Sequence, residues 1–432
     1  MQSNTVNIIG AGLAGSEAAL YLAAHGVKVN LFEAKPLWYS PAHSSPDFAE
    51  IVCSNSLKST ATSTASGALK NELDVLGCSL LNIAREVSVP AGSALAVDRD
   101  GFSSRVTAAV RANPNITVID KIVTEINTDE LTIVCVGPVC HNGIADEICK
   151  ITGEQSLHFF DAAAPIITAE CIDNSRAFFG ARYGKGDSDY LNCPMNKQEY
   201  LAFYDALISA ERVVDKIGGV FEGCMPVEVM ASRGVDALRF GPLRPVGFRD
   251  ACGGKNPYAV LQLRRENAQG TLYNLVGFQT NLKFGEQKRV FSMIPALKDI
   301  EIVRYGVMHR NTFINAPRAL NADLRLKAAP NVFIAGQLCG VEGYVESIAT
   351  GLLAAINAQR ILQGEATVTP PEYTILGALM KYITAPNADF QPMNANFGIL
   401  PMIDGVKKAD RKQAYYDRSD QSIRDWQKNI GV

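Results

Sequence analysis

Two of the ten cysteines stand among residues suited to thiol chemistry. Cys53 lies in Glu50-Ile-Val-Cys-Ser-Asn-Ser-Leu-Lys58, where Ser54, Asn55 and Ser56 offer hydrogen bonds able to support a thiolate. Cys224 lies in Phe221-Glu-Gly-Cys-Met-Pro-Val-Glu228, with Gly223 and Pro226 imposing a turn. A positioned thiolate can add to an electrophilic carbon, which is the chemistry these two suggest. Each also reads as a small packing residue, and spacing along the chain does not show whether they meet. His309, Arg310 and Asn315 fall in one polar stretch, Arg304–Asn315, just before an apolar strand. Polar clustering at such a junction is where pockets form. Glu342 and Tyr344 open a helix after Gly340, and Tyr344 reads equally as a ring that stacks on a planar ligand and as helix-face packing.

These groups need a scaffold and a cofactor, and the chain begins with both. Val6–Ile9 reads as a buried strand that runs into Gly10-Ala11-Gly12-Leu13-Ala14-Gly15. Gly10 permits the tight turn, Gly12 lets the backbone approach a pyrophosphate, and Gly15 lets the following helix pack on the strand. The helix N-terminus near Leu13 supplies free N–H groups and a positive dipole end for phosphates. A second strand ends at Glu33, placed to accept from a ribose hydroxyl and to repel a 2′-phosphate. FAD and NAD enzymes share this fingerprint, and its place at the start of a long chain favours FAD.

Length and composition fit an ordinary globular protein of two or three domains: 432 residues, 47% hydrophobic, 20% charged. No run of 18 apolar residues occurs, and the N-terminus lacks a basic region followed by a cleavable apolar segment. A cytoplasmic location without membrane attachment is the expectation. The cysteines form no C-x-x-C pair, so neither a disulfide framework nor a metal site is expected. Residues 231–330 carry 16 Lys+Arg against 7 Asp+Glu, while the rest carries 25 against 37. A basic segment in an acidic chain is an electrostatic address for a polyanion, with Arg244, Arg249, Arg264, Arg265, Lys283, Lys288 and Arg289 as candidate phosphate contacts.

Along the chain, Pro36 to about Asn55 reads as a polar loop, followed by a helix near Ala68–Ile83 and strands at Ile116–Ile119 and Leu131–Val136. From 156 to 329 the period changes to short alternating strands, as in Tyr258–Arg264 and Thr271–Gln279, which predicts a mostly antiparallel sheet. Asn331–Ala335 restores a buried parallel strand, Gly336 turns it, and a long helix through Arg360 follows. The expected fold is α/β: a Rossmann-like FAD-binding domain of the glutathione-reductase type, with an inserted α+β domain that is largely antiparallel. The expected divisions are 1–155, 156–329 and 330–432, the last ending in a charged, loosely held tail after Asp404.

Several strings together resemble the folate- and flavin-dependent tRNA (uracil-5-)-methyltransferases: Gly10–Gly15, Cys53–Leu57, Val89–Gly92 with Ala96-Val-Asp-Arg99, Asp161–Pro165, Tyr190–Met195, Glu222–Pro226, Arg304–Asn315, Gly340–Ser347 and Pro392–Gly398. The first and the Gly340 helix are also similar to a related wobble-uridine modification flavoprotein, whose signature lacks the two cysteine motifs. The resemblance implies transfer of one carbon from methylenetetrahydrofolate, by way of reduced FAD, to carbon-5 of a uridine in the tRNA T-loop. NADPH or NADH would then restore the flavin. It further implies that one of Cys53 and Cys224 adds to uracil carbon-6 while the other removes the carbon-5 proton, with Cys224 the favoured nucleophile. By the same resemblance Tyr344 and His309 are candidates for sandwiching a pterin or flavin ring, while the strand, glycine turn and helix N-terminus at Gly336, Gly340 and Glu342 read as a polar site that completes the flavin cradle. A stacked T-loop base would have to be extruded to react. A monomer is expected. Two alternatives stay open, namely the same chemistry on ribosomal RNA and a flavin oxidoreductase acting on a small molecule.

Overall fold

The computed structural model describes residues 4–155, 157–184, 188–214, 225–248, 252, 254, 256–388 and 390–431. Cys224 and Arg249 lie outside the described residues. Five parallel strands form the first sheet, in the order Val332–Ile334, Thr132–Val134, Thr5–Ile9, Lys28–Glu33 and Ile116–Asp120. Val6, Ile8, Val29, Leu31, Ile133 and Phe333 are buried, as strands covered on both faces require. Non-local pairing thus brings the chain's late strand beside its early ones.

Two helices, Leu13–Ala24 and Tyr344–Leu362, pack against each other beside this sheet. Their approach depends on a residue without a side chain, because a Cβ at Gly351 would lie 2.2 Å from the Ala14 carbonyl oxygen. Gly15 plays the corresponding part within the first turn, where a Cβ would fall 1.8 Å from the Gly10 oxygen. The first contact packs the two helices together, and the second seats the Leu13–Ala24 helix on the turn that precedes it.

The second sheet has six strands, and its described pairings are all antiparallel: Phe178–Phe179, Leu191–Met195, Ala259–Arg265, Leu272–Leu275, Ile166–Thr168 and Ile302–Arg304, in that spatial order. Alternation sorts its faces. Leu191, Cys193, Leu261, Leu263 and Leu275 enter a second apolar core with Tyr200, Phe203, Phe278 and Phe291. The intervening residues Asn192, Arg264 and Asn274 are polar yet buried. Such groups require partners, and Arg264 finds them on the Cys53 loop. A separate two-stranded ladder, Leu157–Ala162 with Met308–Phe313, pairs His309 with Asp161 and Arg310 with Phe160.

Two local expectations change. The helix placed near Ala68–Ile83 is two helices, Ala65–Val75 and Ser79–Glu86, because Gly77 adopts φ 79° between them. The charged tail is a helix, Arg411–Ile430, with Tyr415, Ile423 and Trp426 buried against the first core. Its anchor is the buried Glu72 carboxylate, which accepts from Ser419 Oγ and from the Ile375 and Leu376 N–H groups. High charge on the remaining faces concealed that apolar stripe.

Candidate active site

The main cavity, of about 390 Å³, runs from the N-terminal glycine turn to Cys53 and Tyr344. Gly10, Ala11, Gly12, Leu13, Ala14, Glu33, Cys53, His309, Gly336, Glu342 and Tyr344 line it. Gly10 holds φ 99°, and a Cβ there would lie 2.6 Å from the Cys135 carbonyl oxygen. Gly12 differs: a Cβ would meet only that oxygen, at 3.9 Å, so its bareness leaves open space toward the cavity. The Leu13–Ala24 helix carries no side-chain cap at its N-terminus. Glu33 accepts from the Ala11 N–H at 2.7 Å and the Lys35 N–H at 3.0 Å, which fixes the carboxylate while lone pairs remain for a ribose. An uncapped helix end, a bare glycine and an aimed carboxylate fit the pyrophosphate and ribose of FAD.

Cys53 sits at the other end, on the irregular segment between Glu33 and Ser56. The Tyr344 Oη lies 2.8 Å from its Sγ and accepts the N–H groups of Cys53 at 2.9 Å and Ser54 at 3.2 Å. With two N–H donors on its oxygen, the phenol proton is directed to sulfur. Burial, aided by Asp161, pushes the Cys53 thiol up to about 12, against the lowering effect of the Tyr344 bond. The serines and asparagine expected to support a thiolate do not offset that burial, and the sulfur rests protonated. Burial likewise pushes the Tyr344 hydroxyl well above its ordinary range.

Carboxyl groups surround this end. Glu342 accepts from Gln337 Nε2, and burial followed by the nearby Asp161 pushes it up to about 8. Glu346 takes Lys58 Nζ at 3.0 Å and the Ala395 N–H at 3.0 Å. On the cavity wall His43 is pushed down to about 4, chiefly by burial, and His309 is lowered by burial and Arg304. Both imidazoles are therefore neutral at physiological pH and suited to contact an uncharged ring. Among the described residues, no group of three or more His, Cys, Asp or Glu is placed to hold a metal ion. No described helix is long and apolar enough to cross a membrane.

The family described as Glucose inhibited division protein A matches residues 5–366. The methylenetetrahydrofolate–tRNA-(uracil-5-)-methyltransferase TrmFO of Moorella thermoacetica is 54% identical over 406 residues, 93% of each chain. Its namesake in Bacillus cereus is 50% identical over 432 residues, 99% of each chain. The chain belongs to the TrmFO family. Aquifex aeolicus GidA, at 14% identity, superposes with a TM-score of 0.71 over 99% of this chain and 73% of its own, which shows the shared fold.

Against that TrmFO fold, several candidate residues fall away from the cavity. Gly15 serves helix packing, and Gly340, at φ 93°, faces Phe390, whose ring a Cβ would meet at 2.4 Å. Arg310 is exposed because strand alternation turns it away from His309 and Asn311, which both line the cavity. Asn315 precedes the short Ala316–Ala319 helix and does not line the cavity. Arg264 is a correction to the expected phosphate contacts: it is buried, bonding Ser54 and Asn55. Arg265 is half-buried, with its guanidinium 5.8 Å from the Phe179 ring centroid. Lys283, Lys288 and Arg289 are exposed, but Lys283 pairs with Glu211 at 2.7 Å and Arg289 with Glu286 at 2.6 Å. Much of the basic segment's charge is thus answered within the protein. No role for Arg99, Asp161 or Lys58 follows from their sequence surroundings, although Arg99 and Asp161 stand in strings that carry the resemblance.

Proposed function

We propose that this chain transfers one carbon from methylenetetrahydrofolate to carbon-5 of a uridine in tRNA, with FAD bound along the main cavity. The single observation carrying this reading is the Cys53–Tyr344 pair at the end of a cavity that starts at the glycine turn. Its weight comes from the near full-length identity to enzymes of that name. When bound, FAD would supply the hydride and carry the one-carbon unit, with NADPH or NADH as the reductant that restores it.

The chain's own residues then have these parts. The N–H groups at Gly12–Ala14 and the Glu33 carboxylate would hold the dinucleotide, and Gly336, Glu342 and Gly343 line the same cavity. Cys53 is the acid–base partner at uracil carbon-5: its thiolate form, which the Tyr344 hydroxyl supports by donating to the sulfur, accepts the carbon-5 proton and becomes the neutral thiol. Cys224, which lies outside the described residues, adds to carbon-6. His309 stacks on the planar rings from the cavity wall. Arg310, Lys288 and Arg244, all exposed, meet phosphates. The target is the T-arm, the enzyme acts as a cytoplasmic monomer, and residues 156–329 form the RNA-binding insert between the two parts of the FAD domain.

Incubating the purified protein with methylenetetrahydrofolate, NADPH and unmodified tRNA or ribosomal RNA tests this. Appearance of 5-methyluridine in the T-loop of tRNA supports it, product on ribosomal RNA alone would reassign the substrate, and absence on both would overturn it.

A further inference from the structure

The segment that carries Cys53 belongs to no regular element between Glu33 and Ser56, so no ladder fixes the position of its sulfur. Two arginines supply what the backbone lacks. Arg264, on the strand Ala259–Arg265 of the antiparallel sheet, donates from Nε to Asn55 Oδ1 at 2.9 Å and from Nη2 to Ser54 Oγ at 2.8 Å. Asn55 answers with its amide, donating to the Arg265 carbonyl at 3.0 Å and the Val97 carbonyl at 2.9 Å. On the other side of the cysteine, Arg99 Nη1 donates to the Ile51 carbonyl. Its Nε and Nη2 hold Glu266 Oε2 at 3.1 Å and 3.0 Å, one residue beyond the same strand. Residues 51, 54 and 55 are thereby tied to one strand end from both sides of Cys53.

Burial shows that these are not surface contacts. Arg264 is 6% exposed, Asn55 0% and Glu266 3%. Charged hydrogen bonds in such surroundings are short, directional and poorly replaced by water. A guanidinium is needed at Arg264 because two acceptors lie along its planar fork, which an ammonium cannot match.

We propose that Arg264 and Arg99, with Glu266, are positioning residues that clamp the Cys53 loop to the antiparallel sheet and hold the thiol at its reacting place. Through this clamp the sheet proposed to bind RNA and the loop that carries the thiol move as one unit. The inference rests on the methyltransferase reading only for the meaning of turnover, since the clamp itself is a statement about the sulfur.

The test therefore has two readouts in the flavin-loaded protein: methyl transfer to tRNA, and the rate at which iodoacetamide alkylates Cys53, followed by peptide mass. In Arg264→Gln and Arg264→Lys, kcat should fall at least about tenfold while KM for tRNA and flavin content stay within about threefold, the pattern expected when a reacting group is displaced by a fraction of an ångström. Cys53 alkylation should rise at least about fivefold in both, because freeing the loop exposes the sulfur. Ser54→Ala removes one clamp bond from the loop side and should shift both readouts the same way by a smaller factor. It also serves if the arginine variants fail to fold. A rise in KM at unchanged kcat would make Arg264 an RNA contact and overturn the proposal. Unchanged alkylation in Arg264→Lys and Ser54→Ala would overturn it too. If the parent protein methylates no RNA, the methyltransferase reading fails, and the alkylation arm still decides the clamp.

Discussion

The Tyr344 hydroxyl stands 2.8 Å from the Cys53 sulfur and accepts two consecutive backbone N–H groups, those of Cys53 and Ser54. One side chain from the helix N-terminus therefore fixes both the loop and the direction of the proton beside the thiol. Tyr344→Phe leaves those donors without an acceptor and should cost about 1–3 kcal/mol of stability. Methyl transfer should fall at least about tenfold as the sulfur loses its donor. Thermal unfolding and single-turnover assays check the two effects, and unchanged turnover would remove the phenol from the chemistry.

The elevated Cys53 thiol has a direct pH signature. A thiolate is the alkylated species, and with the thiol pushed up to about 12 its fraction is small at neutral pH and rises about tenfold per pH unit. Iodoacetamide modification of Cys53 should therefore keep accelerating from pH 7 to beyond pH 9, where an ordinary thiol near about 8.5 levels off. A plateau below pH 9 would mean that the loop stabilises the thiolate after all.

Gly12 and Gly15 share a motif and should fail differently. Gly15→Ala drives a Cβ into the Gly10 carbonyl oxygen and should destabilise the fold by about 3 kcal/mol or more. Gly12→Ala meets nothing closer than 3.9 Å, so the stability of flavin-free protein should change by less than about 1 kcal/mol while flavin retention falls. Thermal melts with and without flavin, and flavin absorbance after desalting, separate the two.

His309 and Arg310 are neighbours on one strand that face opposite sides. His309→Ala should lower turnover. Arg310→Ala should weaken tRNA binding and reduce the salt slope of affinity by about one, leaving turnover at saturation intact. Filter binding across a salt series with parallel kcat measurements checks both, and a shared phenotype would contradict the opposed faces.

Local periodicity made the parallel strands, the glycine turn and the antiparallel strands of the second sheet legible, because those signals lie within a few residues. Glu33 and Cys53, which line one cavity, could be expected on the same side for the same reason, as chain order in a βαβ unit dictates direction. What remained hidden depends on long-range partners. The burial of Arg264 is invisible in a run of basic residues, since only the sheet's alternation against the Cys53 loop turns it inward. The C-terminal helix looks like a loose tail in the sequence because its anchor, Glu72, lies 347 residues away from Ser419. Glu72→Ala should accordingly cost about 2–4 kcal/mol and expose that helix to proteolysis.

The central claim is most directly tested by locating 5-methyluridine in tRNA after incubation with this protein, methylenetetrahydrofolate and NADPH. The account predicts the modified base in the T-loop of wild-type reactions and its loss in Cys53→Ala that still binds flavin. Product formed equally well without folate, or no product on either tRNA or ribosomal RNA, would contradict it.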